Sequence, residues 1–190
     1  MSADFHETVG HAAEGKPARQ RFIARSIWLT VPGTYLVVAA AYALTPPLDG
    51  LEDTGARLAL AVRWLLIAMV PYAAVCLVIT CARFFEGAHN PLLAQESERL
   101  KIHCRVMQNT LEQLVWHALC ILALATYLTS AQARLIPVAC SFFAAARIVY
   151  WWGYLRNGTL GRAPGVQLTF SLNVALLAIA LILFAKHIGS

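Results

Sequence analysis

The sequence predicts an all-α integral membrane protein with five spans, and three observations carry that prediction. Of 190 residues, 59% are hydrophobic and only 13% charged, with a mean hydropathy of +0.61. A soluble domain carries about 25% charged residues, and half that density cannot coat a globule of this size. Five stretches are nearly free of charge over about 20 residues, the length a helix needs to cross the hydrocarbon core. Their apolarity runs all round with no period-2 alternation, which disfavours a β-barrel. A soluble enzyme, a disordered chain and a nucleic-acid-binding domain are therefore poor fits. The net charge of +5 has another use in a membrane, where basic residues set orientation.

Residues 1–25 form a basic N-terminal segment, expected in the cytoplasm. The first span, 26–45, holds no charge, although Pro32 and Gly33 interrupt its apolar run. Its basic flank and Ala41-Tyr42-Ala43 also fit a cleaved signal peptide, but the long leader favours a retained helix. Pro46-Pro47 and Asp49-Gly50 mark a turn, in an acidic loop over 46–56. The second span, 58–82, carries only Arg63, and the third, 106–129, only Glu112. The fourth, 135–155, carries only Arg147, and the fifth, 166–185, carries none.

The loops are short except for 83–105. Residues 130–134 make a tight connection, and Asn157-Gly158, Gly161 and Pro164-Gly165 break the chain between the last two spans. Eleven basic residues, Lys16 and Arg19 among them, fall on the side of the N-terminus, against four on the other. That split predicts a cytoplasmic N-terminus and an outer C-terminus. Trp151, Trp152, Phe84 and Phe85 fall where an inner aromatic belt would sit. The five cysteines show no CxxC spacing and read as small buried apolar residues.

A charged group at the centre of a membrane helix costs about 2.5–3.5 kcal/mol on insertion scales, so the few present need a reason. Arg105, Asn109 and Glu112 are spaced i, i+4, i+7 and share one face of the third span, which Trp116 extends. Arg147, Tyr150 and Tyr154, at i, i+3, i+7, share a face of the fourth. Both sets lie toward the inner side, where Arg83 could join them. One reading is structural: Glu112 pairs with Arg105 or Arg147, Asn109 bonds between helices, and the tyrosines are belt aromatics. The other is a site for a small, zwitterionic, multiply charged ligand, because several donors and one acid converge at one depth. His117 reads as a packed residue, and the adjacent His103 and Cys104 lack metal-ligand helical spacing, so no metal site is expected.

Residues 105–113, with Arg105, Asn109 and Glu112, resemble the R-x-x-x-N-x-x-E motif of the MAPEG family, the membrane-associated proteins of eicosanoid and glutathione metabolism. Residues 147–156 look like the family's second signature, and Arg83 matches the arginine ending its first helix. The resemblance covers about 57–187. It implies a four-helix domain over 57–190, preceded by an extra transmembrane helix and outer loop over 26–56. It also implies a homotrimer that binds glutathione between neighbouring subunits near the cytosolic face.

Carried over residue by residue, Arg105 and Asn109 bind the carboxylate end and backbone of glutathione, and Glu112 accepts from an amide or ammonium nitrogen. Tyr150 and Tyr154 bond the peptide, and Arg147 supports them. The family's chemistry needs a thiolate, which a nearby arginine stabilises. Here that arginine is Arg162, grouped with Arg83 as catalytic, although a second register puts Gly161 at the position. Gln113 stands where some eicosanoid-metabolising members carry tyrosine.

The resemblance thus implies a glutathione-dependent transferase or peroxidase acting on lipophilic electrophiles or hydroperoxides that partition into the bilayer. The alternative is a non-catalytic, lipid-binding or scaffolding relative whose first helix docks a protein partner. A small transporter fits less well, because no inverted repeat is visible. The alanine-rich composition and the lack of an endoplasmic-reticulum retention tail point to a bacterial inner membrane.

Overall fold

Five helices follow one another, joined by short turns. The computed structural model describes residues 3–86 and 97–188, with side chains from Gln20 onward apart from Phe22. The side chains of Lys16 and Arg19, and residues 87–96 of the loop expected over 83–105, lie outside the described residues. The helices are α1 (Ala3–Leu44), α2 (Thr54–Glu86), α3 (Glu98–Tyr127), α4 (Leu135–Gly161) and α5 (Ala163–Ile188). All five hold a stretch long and apolar enough to cross a membrane, which makes the chain a multi-pass integral membrane protein. No strand occurs among the described residues.

Every span is longer than its apolar stretch suggested. Polar residues at the ends, such as Glu98 to Cys104 before the third span, continue the helix past the hydrocarbon core. Arg105, just before the apolar run of the third span, therefore lies inside α3. Pro32 and Gly33 sit within a continuous α1. Ser97 starts α3 by accepting from the Leu100 amide at 3.2 Å, and its hydroxyl donates to Glu86 at 2.9 Å, joining the ends of α2 and α3. At the other end, Arg57 is buried at the start of α2. It donates to the carbonyls of Leu51 (2.9 Å), Glu52 (2.7 Å) and Ala125 (3.2 Å), which locks the acidic turn onto the end of α3. Gly50, at φ 73°, makes the sharp bend of that turn.

Helices α2–α5 form a four-helix bundle, and α1 lies against α5 and α4. One core cluster centres on Ala61, Ile121, Leu124, Phe143 and Leu176. A second, at the end that carries the arginines, contains Val75, Ile79, Leu100, Val106, Tyr150 and Tyr154. Large apolar side chains such as Leu66, Leu119 and Leu181 point outward, as they do where the solvent is lipid. Polar contacts hold α1: Gln167 of α5 donates to Ser26 at 2.8 Å and accepts from Thr30 at 2.6 Å. Cys120 and Cys140 are buried and Cys76 and Cys104 half-buried. Cys81 departs from expectation by facing outward from α2.

Candidate functional site

The α4–α5 reversal shapes one wall of the site. The straight part of α4 ends before Asn157 and Gly158, whose backbones leave the helical region, with Gly158 at φ 54°. The chain then folds back so that Gly161 lies on Gly153. A Cβ at either would collide with the other's backbone carbonyl. Gly165 makes the same close approach to the backbone of Tyr150. Three glycines thus let α5 start directly against the tyrosine face of α4. Gly161 faces backbone and has no room for a side chain. The next residue, Arg162, carries its guanidinium back over Tyr154, 5.0 Å from the ring centre.

Arg147 is 1% exposed, and its bonds explain how a charge survives there. It donates to Thr110 of α3 from Nε (3.2 Å) and Nη2 (2.8 Å), to Asn109 Oδ1 from Nη2 (3.0 Å), and to Thr169 of α5 from Nη1 (3.3 Å). Its Cζ also lies 4.0 Å from the centre of the Tyr150 ring. Two neighbouring helices and a π-face therefore replace water around a guanidinium that contacts no carboxylate among the described residues. Uncompensated charge of this kind is costly to bury, and an anion beside it would be held strongly.

The other site residues converge on the same two tyrosines. Arg105 is exposed on α3, on the side of Tyr154. The Tyr150 hydroxyl is enclosed and makes no hydrogen bond of sound geometry, with Arg162 the guanidinium facing it. Asn109 is half-buried and already bonded to Arg147. Arg83, in the last turn of α2, directs Nη2 at Cys104 Sγ, 3.9 Å away on α3.

The pairing of Glu112 with Arg105 or Arg147 is not formed: Glu112 is exposed and accepts from Gln108 Nε2 at 2.9 Å, because its part of α3 turns away from α4. Trp151 is half-buried. Its indole donates to His103 Nδ1 at 3.0 Å, which leaves the neutral ring's proton on Nε2.

Thr110 and Thr169 escaped sequence reasoning, since a threonine in an apolar helix carries no mark of the arginine it will meet. A second polar group lies deeper. His117, fully buried and stacked on Phe143, bonds through Nδ1 to Asn173 Oδ1 at 3.0 Å. Asn173 in turn donates to the Gln113 backbone and side-chain oxygens, both at 3.1 Å. Position 113 is thus turned inward to α5. Among the described residues no group of three His, Cys, Asp or Glu could hold a metal.

No curated protein and no solved structure gives a match to the chain. The sequence model of the MAPEG family matches residues 54–182, which spans α2 to within α5 and contains every site residue described above. With most of its length matched, two polar motifs brought to one end of a four-helix bundle and five membrane-spanning helices, the chain belongs to the MAPEG family.

Proposed function

We propose that the protein is a membrane-bound glutathione-dependent transferase or peroxidase acting on lipophilic electrophiles or hydroperoxides, and that it works as a homotrimer. The observation that carries this reading is the convergence of Arg105, Arg147 and Arg162 on Tyr150 and Tyr154 with no acid contacting those arginines among the described residues. A tripeptide with two carboxylates and a thiolate supplies the missing negative charge. Arg105 and Asn109 hold its carboxylate end, the tyrosines its peptide groups, and Arg147 fixes Asn109 and Tyr150 from behind. Arg83, at the rim, is the second catalytic arginine of the proposal.

Glu112 supports the oligomer. It lies eight residues beyond Cys104, where α3 enters its apolar span, so about 12 Å into that span at 1.5 Å per residue. An exposed carboxylate at that depth costs several kcal/mol in lipid. A neighbouring subunit and the ammonium or amide of glutathione would cover it.

The chemistry is thiolate attack. Only a few per cent of a free thiol is ionised at neutral pH, and Arg162 would raise that fraction by stabilising the anion. With an electrophilic carbon, a sulfur–carbon bond forms and the leaving group departs with its electron pair. With a hydroperoxide, sulfur attacks the terminal oxygen, the O–O bond breaks, and the alcohol leaves. A second glutathione then reduces the sulfenic acid, giving glutathione disulfide and water. On this reading the site faces the cytoplasm, the N-terminus is inside, and the protein sits in a bacterial inner membrane; the basic excess on the side of the N-terminus supports that orientation.

Calorimetry on the detergent-solubilised protein tests this. Glutathione binds the wild type, and Arg105→Ala and Glu112→Ala each weaken binding about tenfold or more, the ratio set by one lost charged contact. Absence of binding to well-folded protein overturns the reading. Binding without conjugation or hydroperoxide reduction across a substrate panel would instead assign the chain to a non-catalytic, lipid-binding role.

A further inference from the structure

Helix α1 precedes the part of the chain that matches the family, and its seam with the bundle holds a feature unrelated to the arginine–tyrosine site. Toward the arginine-rich end, Gln167 bonds Ser26 and Thr30 and clamps α1 to α5. Further along, the two helices leave an apolar cavity of about 360 Å³. Thr34, Val38 and Tyr42 of α1 face Leu172 and Leu176 of α5 across it, and Gln132 and Leu135 close its far end.

That far end is basic. The Arg134 guanidinium lies 4.3 Å from the centre of the Tyr42 ring, and its Nη1 donates to the Thr45 carbonyl at 2.8 Å. Its Nε is buried without a hydrogen-bond partner, and it contacts no carboxylate among the described residues. Gln132 gives its Oε1 to the Thr129 amide at 3.1 Å, which leaves its NH₂ as a donor. Arg134 stands at the start of α4 and level with the end of α1, so it lies at the membrane boundary, the depth of lipid phosphates.

We propose that this seam is a phospholipid site, with one acyl chain in the cavity and the phosphate on Arg134 and Gln132. An empty apolar slot forfeits dispersion contacts on both walls, and in a bilayer the molecules at hand to fill it are acyl chains. A guanidinium lacking an acid partner at the mouth selects an anionic head, which it can hold through two parallel N–H donors. The lipid then acts as a wedge that completes the packing of α1 on the bundle.

The test uses the full chain in mild detergent, with phosphatidylglycerol carrying a photoreactive diazirine near the tail of one acyl chain. Label is expected to concentrate in the peptides around Thr34–Tyr42 and Leu172–Ile179. Ala175→Trp, which fills the cavity from its wall, is expected to lower retained lipid, counted by native mass spectrometry, about tenfold or more. Arg134→Gln is expected to weaken retention of phosphatidylglycerol about tenfold and leave retention of diacylglycerol, which lacks the phosphate, unchanged. Label spread evenly over the outward faces of α2–α5 overturns the proposal. So does an Arg134→Gln protein that keeps phosphatidylglycerol as the wild type does. If Ala175→Trp does not fold, the labelling map of the unsubstituted chain decides alone.

Discussion

The Arg162 guanidinium lies 5.0 Å from the centre of the Tyr154 ring, although the chain reverses between them at Asn157-Gly158. On a straight helix, residues eight apart diverge by about 80° at 100° per residue, so the reversal is what returns Arg162 to the tyrosine. If Arg162 stabilises a thiolate, Arg162→Gln should change glutathione affinity less than about threefold, below half of the 1.4 kcal/mol that makes tenfold. Conjugation at neutral pH should fall about 10- to 100-fold, the span of one to two such steps. The sign with pH is fixed: the arginine lowers the thiol's pKa, so its loss moves the pH–rate profile upward, toward the value near 8.5 of a free thiol. A profile superimposable on the wild type's would remove Arg162 from the chemistry.

Gly153 and Gly161 should be intolerant of any side chain. Each Cβ would meet the carbonyl of the other residue, and backbone on both sides cannot rotate away. Gly161→Ala should cost about 1–3 kcal/mol, the usual range for overpacking, and lower the melting temperature. It should also lower conjugation, because it pushes Arg162 off Tyr154. Gly158→Ala has open space around its Cβ and loses only through its backbone, φ 54° with ψ −135°, about 1–3 kcal/mol. Melting curves of the three alanine variants should each fall below that of the wild type.

Arg147 acts by positioning. Its four hydrogen bonds reach α3 and α5, and a lysine cannot reproduce that fork. Arg147→Lys should weaken glutathione binding about tenfold or more, because Asn109 and Tyr150 lose their common anchor. It should also lower stability by about 1–3 kcal/mol, the penalty for charge-assisted bonds left unmade. Calorimetry and melting in one detergent separate the two effects. Unchanged affinity with lowered stability would confine Arg147 to the fold.

Five spans were legible because each is a long apolar run with at most one charge, and the candidate site was legible because a charge inside such a run stands out. Arg105, Asn109, Arg147, Tyr150 and Tyr154 announced themselves by spacing on two faces. The helix ends were not legible, since polar residues that continue a helix beyond the hydrocarbon, as from Glu98 to Cys104, read like loop. That Glu112 does not pair with Arg105 or Arg147 was hidden for a related cause. Spacing places it on one face with Arg105, but only packing shows that this part of the face turns outward to Gln108. Thr110 and Thr169 were invisible because a threonine fits apolar helix surroundings by bonding its own backbone, as Thr169 does to Gly165 at 2.9 Å. The docking of α1 was hidden for the same reason: Gln167, like Asn173, is an amide in a run that otherwise says lipid.

Gln167→Leu tests how α1 is held. The substitution removes the amide that bonds Ser26 and Thr30, but neither hydroxyl is stranded, since each also reaches a carbonyl of its own helix at 2.8 Å. The loss should therefore be small, near the ~0.6 kcal/mol average for polar contacts between membrane helices. It should also be local. Backbone amides of α1 between Ser26 and Thr34 should exchange about threefold faster, the factor that corresponds to that energy. Those of α3 and α4 around Thr110 and Arg147 should not change. Hydrogen exchange in detergent, read by peptide mass, distinguishes this from the contrary case. An equal acceleration in α1 and in the bundle would mean that α1 folds as one unit with the four-helix bundle, and that its contact with α5 is part of the core's cooperativity.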